Sequence, residues 1–217
     1  MGNMEVAIVD YEMGNIKSVS NAFSYLGCDV VVTQKAERLK TADAVVLPGV
    51  GAFGKAMQNL SDLNLKDEII LLAQDQKMPL LGICLGMQLL ADSSDEGGRT
   101  TGLSLVPGTV VKFDSDDKIR FPHVGWNSVQ LAKEQDSLNW CENGDSFYFV
   151  HGFVFVCDND DHVVARTTYG QTFASVINKQ NVFGVQFHPE RSQTKGLALL
   201  RCFLREASHL NSRANSC

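Results

Sequence analysis

Apolar positions in the first half of the chain alternate between short runs and helical spacing. Runs typical of buried strands cover residues 6–9, 29–33 and 44–47. After the first run, apolar residues recur every three or four positions until Gly27, at Ile16, Val19, Phe23 and Leu26. This strand–helix–strand order predicts a parallel sheet covered by helices on both faces.

The same alternation continues towards the middle of the chain. A further amphipathic helix is predicted from apolar positions at Leu65, Ile69, Leu72 and Ala73. Pro79 then precedes an apolar run from Leu80 to Ile83, which predicts a strand that leads into Cys84. Residues 92–102 are polar and contain glycine, so we expect a surface loop there.

The second half of the chain has a different pattern, with short apolar segments separated by turn residues. Strands are predicted over residues 106–113, 147–150, 154–157, 163–168, 173–177 and 182–187. Residues 169–171 and 178–181 are typical of hairpin connections, which indicates antiparallel pairing. Apolar spacing predicts a closing helix over 197–207, and we expect residues 209–217 to be a frayed polar tail.

The predicted fold class is therefore α/β, with a mostly parallel central sheet, helices on both faces and a strand-rich, partly antiparallel second half. A length of 217 residues fits one domain, and we expect it to span residues 1–208. The absence of an internal repeat or of a linker in the sequence supports one domain rather than two.

Composition and charge narrow the possible functions. A net charge of −6 without any run of lysine or arginine argues against a nucleic-acid surface. Apolar runs stay below the ~18 residues that span a membrane, and acidic residues interrupt the apolar N-terminus, unlike a signal peptide. The six cysteines form no Cys-x-x-Cys pair, so we expect reduced thiols, no metal or other cofactor, and a cytoplasmic protein.

Cys84 is the strongest candidate for catalytic chemistry. Gly82-Ile83-Cys84-Leu85-Gly86 is the cysteine counterpart of Gly-x-Ser-x-Gly, in which a sharp strand-to-helix turn carries the nucleophile. Such a turn requires small neighbours, and it places the sulfur at a helix N-terminus that favours the thiolate. The alternative interpretation is a structural cysteine, since free cysteine is among the most buried residue types.

Pro48-Gly49-Val50-Gly51-Ala52-Phe53-Gly54, which follows the third predicted strand, is a second candidate segment. Its spacing resembles a dinucleotide-binding pattern, but it begins at proline and lacks a convincing acidic partner for a ribose. A plain glycine turn is another interpretation. Backbone N–H donors for an oxyanion suit a cysteine nucleophile better, because acyl transfer needs such donors beside the attacked carbonyl.

A base for that nucleophile is available at His188, directly after the strand predicted over 182–187. Catalytic side chains in α/β sheets gather at the carboxyl ends of strands, and Pro189 restricts the directions of His188 and Glu190. Glu190 would orient the imidazole, as a nucleophile–base–orienter set requires. A structural histidine turn remains the alternative, and His123 and His151 are either structural or near the site.

These motifs together resemble those of the class I glutamine amidotransferases. The resemblance rests on residues 82–88, 48–51 and 184–190, and it covers about Met4 to Arg205 in the same order. Residues 11–18, 49–57, 122–127 and 147–151 narrow it to the glutaminase subunits of imidazole glycerol phosphate synthase. One departure is that Gly152 and Phe153 follow His151, where the family usually has serine and tyrosine.

The resemblance implies a role for each candidate residue. Cys84 would attack the side-chain amide of glutamine, His188 would transfer the protons, and Glu190 would orient His188. The oxyanion hole is expected from the backbone of Leu85 and of the segment Gly49, Val50 and Gly51, and Gln88 would contact the glutamine. The loop with Gly152 and Phe153 is expected to contribute to glutamine binding.

The resemblance also implies a partner, a barrel-shaped synthase (cyclase) subunit that forms a heterodimer with this chain and receives the ammonia. Residues His123, Trp126 and Asn127 are candidates for that interface, while burial of Trp126 in the core is the other interpretation. Three alternatives stay open for the function. They are a paralogous glutaminase that serves another synthase, a stand-alone hydrolase or peptidase, and a catalytically silent binding subunit.

Overall fold

The computed structural model describes residues 4–113, 120–132 and 142–214. The last residues of the expected polar tail, 215–217, therefore lie outside the described residues. Within the described part of the chain, none of the helices is both long and apolar enough to span a membrane.

The helices and strands alternate regularly in the first half and strands dominate the second. The helices are α1 (Ile16–Tyr25), α2 (Ala36–Lys40), α3 (Phe53–Asp62), α4 (Lys66–Gln74), α5 (Leu85–Leu89) and α6 (Gln193–Ala214). The strands of the first half are β1 (Glu5–Val9), β2 (Asp29–Thr33), β3 (Ala44–Gly49), β4 (Leu80–Cys84), β5 (Ser93–Ser94) and β6 (Thr100–Thr101). The strands of the second half are β7 (Gly108–Lys112), β8 (His123–Ser128), β9 (Gln130–Leu131), β10 (Ser146–His151), β11 (Phe153–Cys157), β12 (Val163–Tyr169), β13 (Gln171–Lys179) and β14 (Val182–Val185).

A central eight-stranded sheet organises the molecule, with the strand order β2-β1-β3-β4-β14-β13-β12-β9. Strands β2, β1, β3, β4 and β14 run parallel, as the apolar runs predicted. The remaining pairs are antiparallel, and the two predicted hairpins are present, with Tyr169 opposite Gln171 and Lys179 opposite Val182. The α/β class with a partly antiparallel second half is therefore confirmed.

The side chains on the two faces of this sheet pack into two separate hydrophobic cores. Along β1, Ala7 and Val9 point to the core beneath α3, α4 and α5, whereas Val6 and Ile8 point to the core beneath α1 and α6. This period of two explains why β1, β3 and β4 are apolar along most of their length, because both of their faces are covered. The edge strand β2 is only partly covered.

Two smaller sheets cover the edge of the molecule near the end of β4. One has the order β11-β7-β5-β6, and the other is an antiparallel ribbon of β8 and β10. The sequence analysis predicted a surface loop at 92–102, but that segment contains β5 and β6, and Ser93 and Ser94 are buried. Polar strands of two residues have no apolar alternation, so the pattern could not predict them.

Other elements also differ from the expectation, among them α2, α3 and β9, which were not predicted. Strand β8 was not predicted, because its sequence contains polar residues and Gly125, and only its pairing with β10 makes it a strand. The closing helix α6 runs to Ala214, although we expected the chain to fray from residue 209. Asn211 donates a side-chain hydrogen bond to the carbonyl oxygen of Asp43 at 2.9 Å, which ties this end of the helix to the sheet.

Candidate active site

The turn between β4 and α5 carries Cys84 in a strained backbone conformation. Its φ of 55° and ψ of −108° lie in a region that residues with a side chain rarely adopt. The strand ends at Cys84 and the helix begins at Leu85, so the chain reverses direction at the sulfur-bearing residue. The sharp turn predicted from the Gly-x-Cys-x-Gly motif is therefore present.

The glycines that flank Cys84 are required by close backbone contacts. A Cβ atom added at Gly86 would lie 1.7 Å from the carbonyl oxygen of Leu47, and one at Gly82 would lie 2.6 Å from the Gly86 carbonyl oxygen. Heavy atoms cannot approach so closely, so either side chain would push α5 away from the sheet.

Pairing within the central sheet brings the other candidate segments beside Cys84. In the β3–β4 pair Gly49 is opposite Cys84, and in the β14–β4 pair Val185 is opposite Ile83. The segment that starts at Gly49 therefore lies on one side of the cysteine, and the chain that leads from β14 to His188 lies on the other. Residues that are far apart in sequence meet here because parallel strands end at the same edge of a sheet.

His188 and Glu190 form a buried hydrogen-bonded pair. The Nδ1 atom of His188 lies 2.9 Å from Oε1 of Glu190, and both side chains are buried. Burial acts to lower the pKa of His188, but hydrogen bonds with Cys84 and Glu190 and the charges of these two groups raise it to about 10. The imidazole therefore holds a proton at neutral pH, between a sulfur and a carboxylate.

Strand β10 fixes the backbone around His188. The His188 N–H donates to the carbonyl oxygen of Tyr148 at 2.9 Å. The Ser192 hydroxyl donates to the His188 carbonyl at 2.6 Å and accepts the Tyr148 N–H at 3.0 Å. Bonds on both sides of the peptide restrict the base to one position. Ser192, which follows the His-Pro-Glu motif by two residues, was not predicted from the sequence.

A cavity of about 350 Å³ opens over the sulfur. It is lined by Val50, Gly51, Cys84, Leu85, Gln88, Glu96, Phe121, Pro122, Val150, His151, Gly152, Phe153 and His188. Most of the residues predicted for the site thus share one cavity, and the loop Gly152–Phe153 belongs to its wall. Another cavity, of about 420 Å³, lies between the sheet and α6 and contains none of the predicted residues.

Gln88 lies in the wall of the cavity over Cys84, and its side-chain amide is already hydrogen-bonded within the protein. Its Nε2 donates to the Phe153 carbonyl oxygen at 3.0 Å and to Oε1 of Gln186 at 3.1 Å. Both amide hydrogens are used within the protein, so only the Oε1 acceptor remains for a ligand. Gln186 in turn places its Nε2 3.8 Å from Cys84 Sγ. Gln186 lies within the 184–190 motif, but no role was predicted for it, although a polar residue at the end of an apolar strand was a usable indication.

Glu96 is a site residue that sequence analysis missed. It is the one acidic side chain among the described residues that line the cavity, and its Oε2 accepts the Phe53 N–H at 2.7 Å. That bond holds the carboxylate at the start of α3. Glu96 lies in a segment predicted as a surface loop, and nothing in its local sequence separates it from other loop acids.

The predicted oxyanion segment lies against the turn, but its central donor points elsewhere. The Val50 N–H donates to the Met13 carbonyl oxygen at 3.4 Å, and Gly51 has a φ of +109°. At Gly49 a Cβ atom would lie 2.2 Å from the Tyr11 hydroxyl, so only glycine allows this contact. Burial and the charge of Cys84 raise the pKa of Tyr11 above its usual range, and the phenol stays neutral.

The three residues predicted for the partner interface differ in exposure. Trp126 is 50% exposed, which excludes the interpretation as a core residue. His123 is only 2% exposed and stacks on Tyr169 at 4.0 Å, so its side chain is buried within this chain. Asn127 donates inward to the Thr168 carbonyl oxygen at 3.0 Å. Strand alternation in a ribbon sends neighbouring residues to opposite faces, which separates Trp126 from His123 and Asn127.

One face of the β8–β10 ribbon is exposed beside the cavity. Val124 is opposite Val150, and Trp126 is opposite Tyr148. We call these four residues the exposed ribbon face. The carbonyl oxygen of Val150 lies 3.6 Å from Cys84 Sγ, a distance at which a thiol donates a hydrogen bond to it. The exposed ribbon face is therefore directly connected to Cys84 through the Val150 backbone.

Comparison with known proteins identifies relatives along almost the whole chain. Residues 7–207 match the family described as glutamine amidotransferase class-I. The chain is 44% identical over 210 residues to imidazole glycerol phosphate synthase subunit HisH of Aquifex aeolicus, covering 96% of this chain and 100% of the relative. The HisH subunit of Methanocaldococcus jannaschii is 43% identical over 199 residues, covering 92% and 98%. HisH 1 of Campylobacter jejuni is 41% identical over 204 residues, covering 92% and 99%.

Solved structures are similar in fold at lower identity. A glutamine amidotransferase crystal structure has a TM-score of 0.74 at 20% identity, covering 94% of this chain and 98% of that chain. The structure of PurLQS from Thermotoga maritima has a TM-score of 0.72 at 18% identity, covering 94% and 99%.

Proposed function

Because this chain belongs to the class I glutamine amidotransferase family, and within it to the HisH subunits of imidazole glycerol phosphate synthase, we propose that it hydrolyses L-glutamine to L-glutamate and ammonia. The ammonia would pass to a separate synthase subunit that forms imidazole glycerol phosphate and aminoimidazole carboxamide ribotide in histidine biosynthesis. The observation that carries the proposal is the strained turn at Cys84 beside the buried His188–Glu190 pair.

The geometry supports a thioester mechanism. The sulfur of Cys84 attacks the side-chain amide carbon of glutamine, and the carbonyl electrons move onto oxygen. When the tetrahedral intermediate collapses, His188 gives its proton to the nitrogen, which leaves as ammonia. Water then attacks the thioester with His188 as the base, which releases glutamate and restores Cys84. Glu190 holds the imidazole in the required orientation.

The oxyanion would form between α5 and the end of β3. The Leu85 N–H lies at the start of α5. The Gly49–Val50–Gly51 backbone begins beside Cys84, at the end of the neighbouring strand β3. The Val50 N–H can join this site once its long bond to Met13 is broken and the peptide rotates. One such donor changes the rate by roughly 10²–10³, so this rotation suffices as a switch.

Two side chains of the cavity wall suit the rest of the substrate. Glu96 offers a carboxylate for the α-ammonium group of glutamine, and its position is fixed by the Phe53 N–H. The remaining acceptor of Gln88, Oε1, suits a donor group such as the amide of glutamine. The Gly152–Phe153 backbone completes this wall.

The partner would dock on the exposed ribbon face. A tryptophan, a tyrosine and two valines gather there around the mouth of the cavity, and Phe121 and Val50 are exposed next to them. Aromatic anchors of this kind are typical of interface centres. A barrel-shaped synthase subunit in a heterodimer would cover the cavity and receive the ammonia. A cytoplasmic location is part of the proposal, supported by the free thiols of Cys28, Cys84, Cys157 and Cys202.

The test is ammonia release from glutamine by the purified chain alone, with the synthase subunit, and with that subunit plus its nucleotide ligand. We expect little turnover alone and a large increase in the full complex. Cys84→Ala should abolish glutamine hydrolysis in all three conditions, while synthesis from added ammonia continues in the complex. Equal rates in the three conditions would identify a stand-alone hydrolase, and near wild-type hydrolysis by Cys84→Ala would remove the proposed nucleophile.

A further inference from the structure

Two imidazoles lie side by side at the wall of the cavity, which His151 lines. His123 and His151 are opposite each other in the β8–β10 ribbon, and Nδ1 of His123 is 2.9 Å from Nε2 of His151. Both side chains are buried, and they are enclosed by the aromatic rings of Phe113, Phe149, Tyr169 and Phe173. The chemistry proposed for Cys84 and His188 does not use them.

The neighbours of this pair fix the position of every proton. His151 Nδ1 is 2.9 Å from the Phe153 carbonyl oxygen, which can only accept, so Nδ1 carries the proton. Burial, and the charges of His123 and His188, lower the pKa of His151 to about 3, so its Nε2 is bare and accepts the Nδ1–H of His123. Burial lowers the pKa of His123 to about 4, and its bare Nε2 faces Asn127 Nδ2 at 3.3 Å.

The Phe153 carbonyl joins this pair to the nucleophile. It accepts the His151 Nδ1–H from one side and the Gln88 Nε2–H from the other, at 2.9 and 3.0 Å. The second hydrogen of Gln88 goes to Gln186 Oε1, and Gln186 Nε2 faces Cys84 Sγ. A carbonyl oxygen cannot pass a proton on, so this connection fixes orientations and does not conduct protons.

We propose that His123 and His151 are positioning residues that, through the Phe153 carbonyl, hold the amides of Gln88 and Gln186 so that Gln186 donates an N–H to the Cys84 sulfur. A hydrogen bond donated to sulfur favours the thiolate over the thiol. Without the His151 bond, the Phe153 carbonyl is held from one side only and can move away from Gln88, whose amide can then turn over and exchange its oxygen and nitrogen. Gln186 would then turn as well, and its oxygen would face the sulfur.

The measurement is the rate of Cys84 alkylation by iodoacetamide against pH, in the isolated chain, with the modified residue identified by mass spectrometry. His151→Phe keeps the ring volume but has no donor, and we expect alkylation at neutral pH to fall roughly three- to tenfold, as for one lost hydrogen bond. The pH midpoint should rise. His151→Asn, which keeps a donor near the Nδ1 position, should restore most of the rate.

Two comparisons separate positioning from packing. Phe173→Leu disturbs the same aromatic cluster but leaves the hydrogen bonds intact, so its Cys84 should be alkylated at the wild-type rate. In a Gln88→Met background the connection is already broken, so adding His151→Phe should cause no further loss. His123→Phe, which keeps a ring stacked on Tyr169, provides a second variant if His151→Phe does not fold.

If Cys84 were alkylated at the wild-type rate in both His151→Phe and His123→Phe, the proposal would be overturned. The same holds if His151→Phe lowered the alkylation rate as much in the Gln88→Met background as in the wild type. The inference rests on the proposed function only for the identity of Cys84 as the nucleophile. Because the measurement uses neither glutamine nor a synthase subunit, its result is independent of whether the chain releases ammonia.

Discussion

At the scale of single residues, the environment of each group decides its chemistry. Three histidines lie at or near the cavity, namely His123, His151 and His188. The pKa of His188 is raised, while the pKa values of the other two are lowered. His188, next to a sulfur and a carboxylate, has its pKa raised to about 10, while buried His151 has its pKa lowered to about 3. The structure therefore separates a charged imidazole beside Cys84 from the two neutral imidazoles of the β8–β10 ribbon.

The first prediction at this scale concerns the base and its orienter. His188→Asn should lower kcat for glutamine hydrolysis by roughly 10²–10⁴, nearly as much as loss of Cys84. Glu190→Gln should cost less, because it alters the position and charge of the imidazole without removing it. Steady-state kinetics of the complex measures both. Near-neutral effects of both substitutions would contradict the assignment.

The second prediction is acid destabilisation caused by the buried histidine pair. The pKa values of His123 and His151 in the fold, about 4 and 3, lie below the ordinary 6.5, so only the unfolded chain binds protons as pH falls through this range. The free energy of unfolding should decrease from pH 6.5 towards pH 4, by up to about 1.4 kcal/mol per pH unit for each imidazole.

Urea unfolding at a series of pH values checks this. His151→Phe should be less stable than wild type near pH 8, and the gap should narrow towards pH 5 because one uncharged residue replaces one titrating residue. Phe173→Leu serves as the control, since its loss of stability should be the same at each pH. A pH-independent gap for His151→Phe would contradict the predicted shift.

At the scale of elements, the β4–α5 turn brings the helix onto the sheet at contact distance. Leu47 of β3 contributes a backbone oxygen that leaves no room for a side chain at Gly86. The β8–β10 ribbon works in a similar way, because its backbone bonds reach Cys84 and His188 while two of its residues per strand face solvent. Each element therefore both packs against the rest of the fold and holds Cys84 or His188 in position.

We predict that Gly86→Ala destabilises the protein by about 1–3 kcal/mol, because its methyl group overlaps the Leu47 carbonyl oxygen. Gly54→Ala is the matched control. It lies in α3, its Cβ would meet only Thr100 Oγ1 at an ordinary 3.6 Å, and the change should be neutral or slightly stabilising. Thermal or urea unfolding measures the stability of both variants. Equal free energies of unfolding would show that the turn tolerates a side chain at Gly86.

At the scale of the whole molecule, Cys84, His188 and the exposed ribbon face lie at one edge of the central sheet. A partner that covers this edge would close the cavity over Cys84 and contact the strand whose backbone holds His188. The proposed docking face and the proposed catalytic residues are therefore adjacent, which suits a glutaminase that is active only in its complex.

We predict that Trp126→Ser weakens binding of the synthase subunit by roughly 30-fold or more, as expected for an aromatic anchor, with little change in the stability of the isolated chain. Tyr25→Ser is the control, since Tyr25 is even more exposed but lies at the far end of α1. Titration calorimetry of both variants against the synthase subunit measures the effect. Equal affinities for the two would place the interface elsewhere.

The sequence by itself determined the parallel half of the sheet and the turn at Cys84. Apolar runs and helical spacing are local patterns, and the turn depends on glycines within two residues of the cysteine. It also indicated His188 and Glu190, because their motif directly follows an apolar strand, and catalytic side chains gather at the carboxyl ends of strands.

Only the tertiary structure decided the rest of the site. Glu96 and Gln186 reach Cys84 or its cavity through contacts between distant segments, which no local pattern records. Strand pairing likewise placed His123 inside and Trp126 outside, although the two residues are three positions apart. The physical reason is that β8 has no hydrophobic alternation of its own, so its register and its buried face are set by β10.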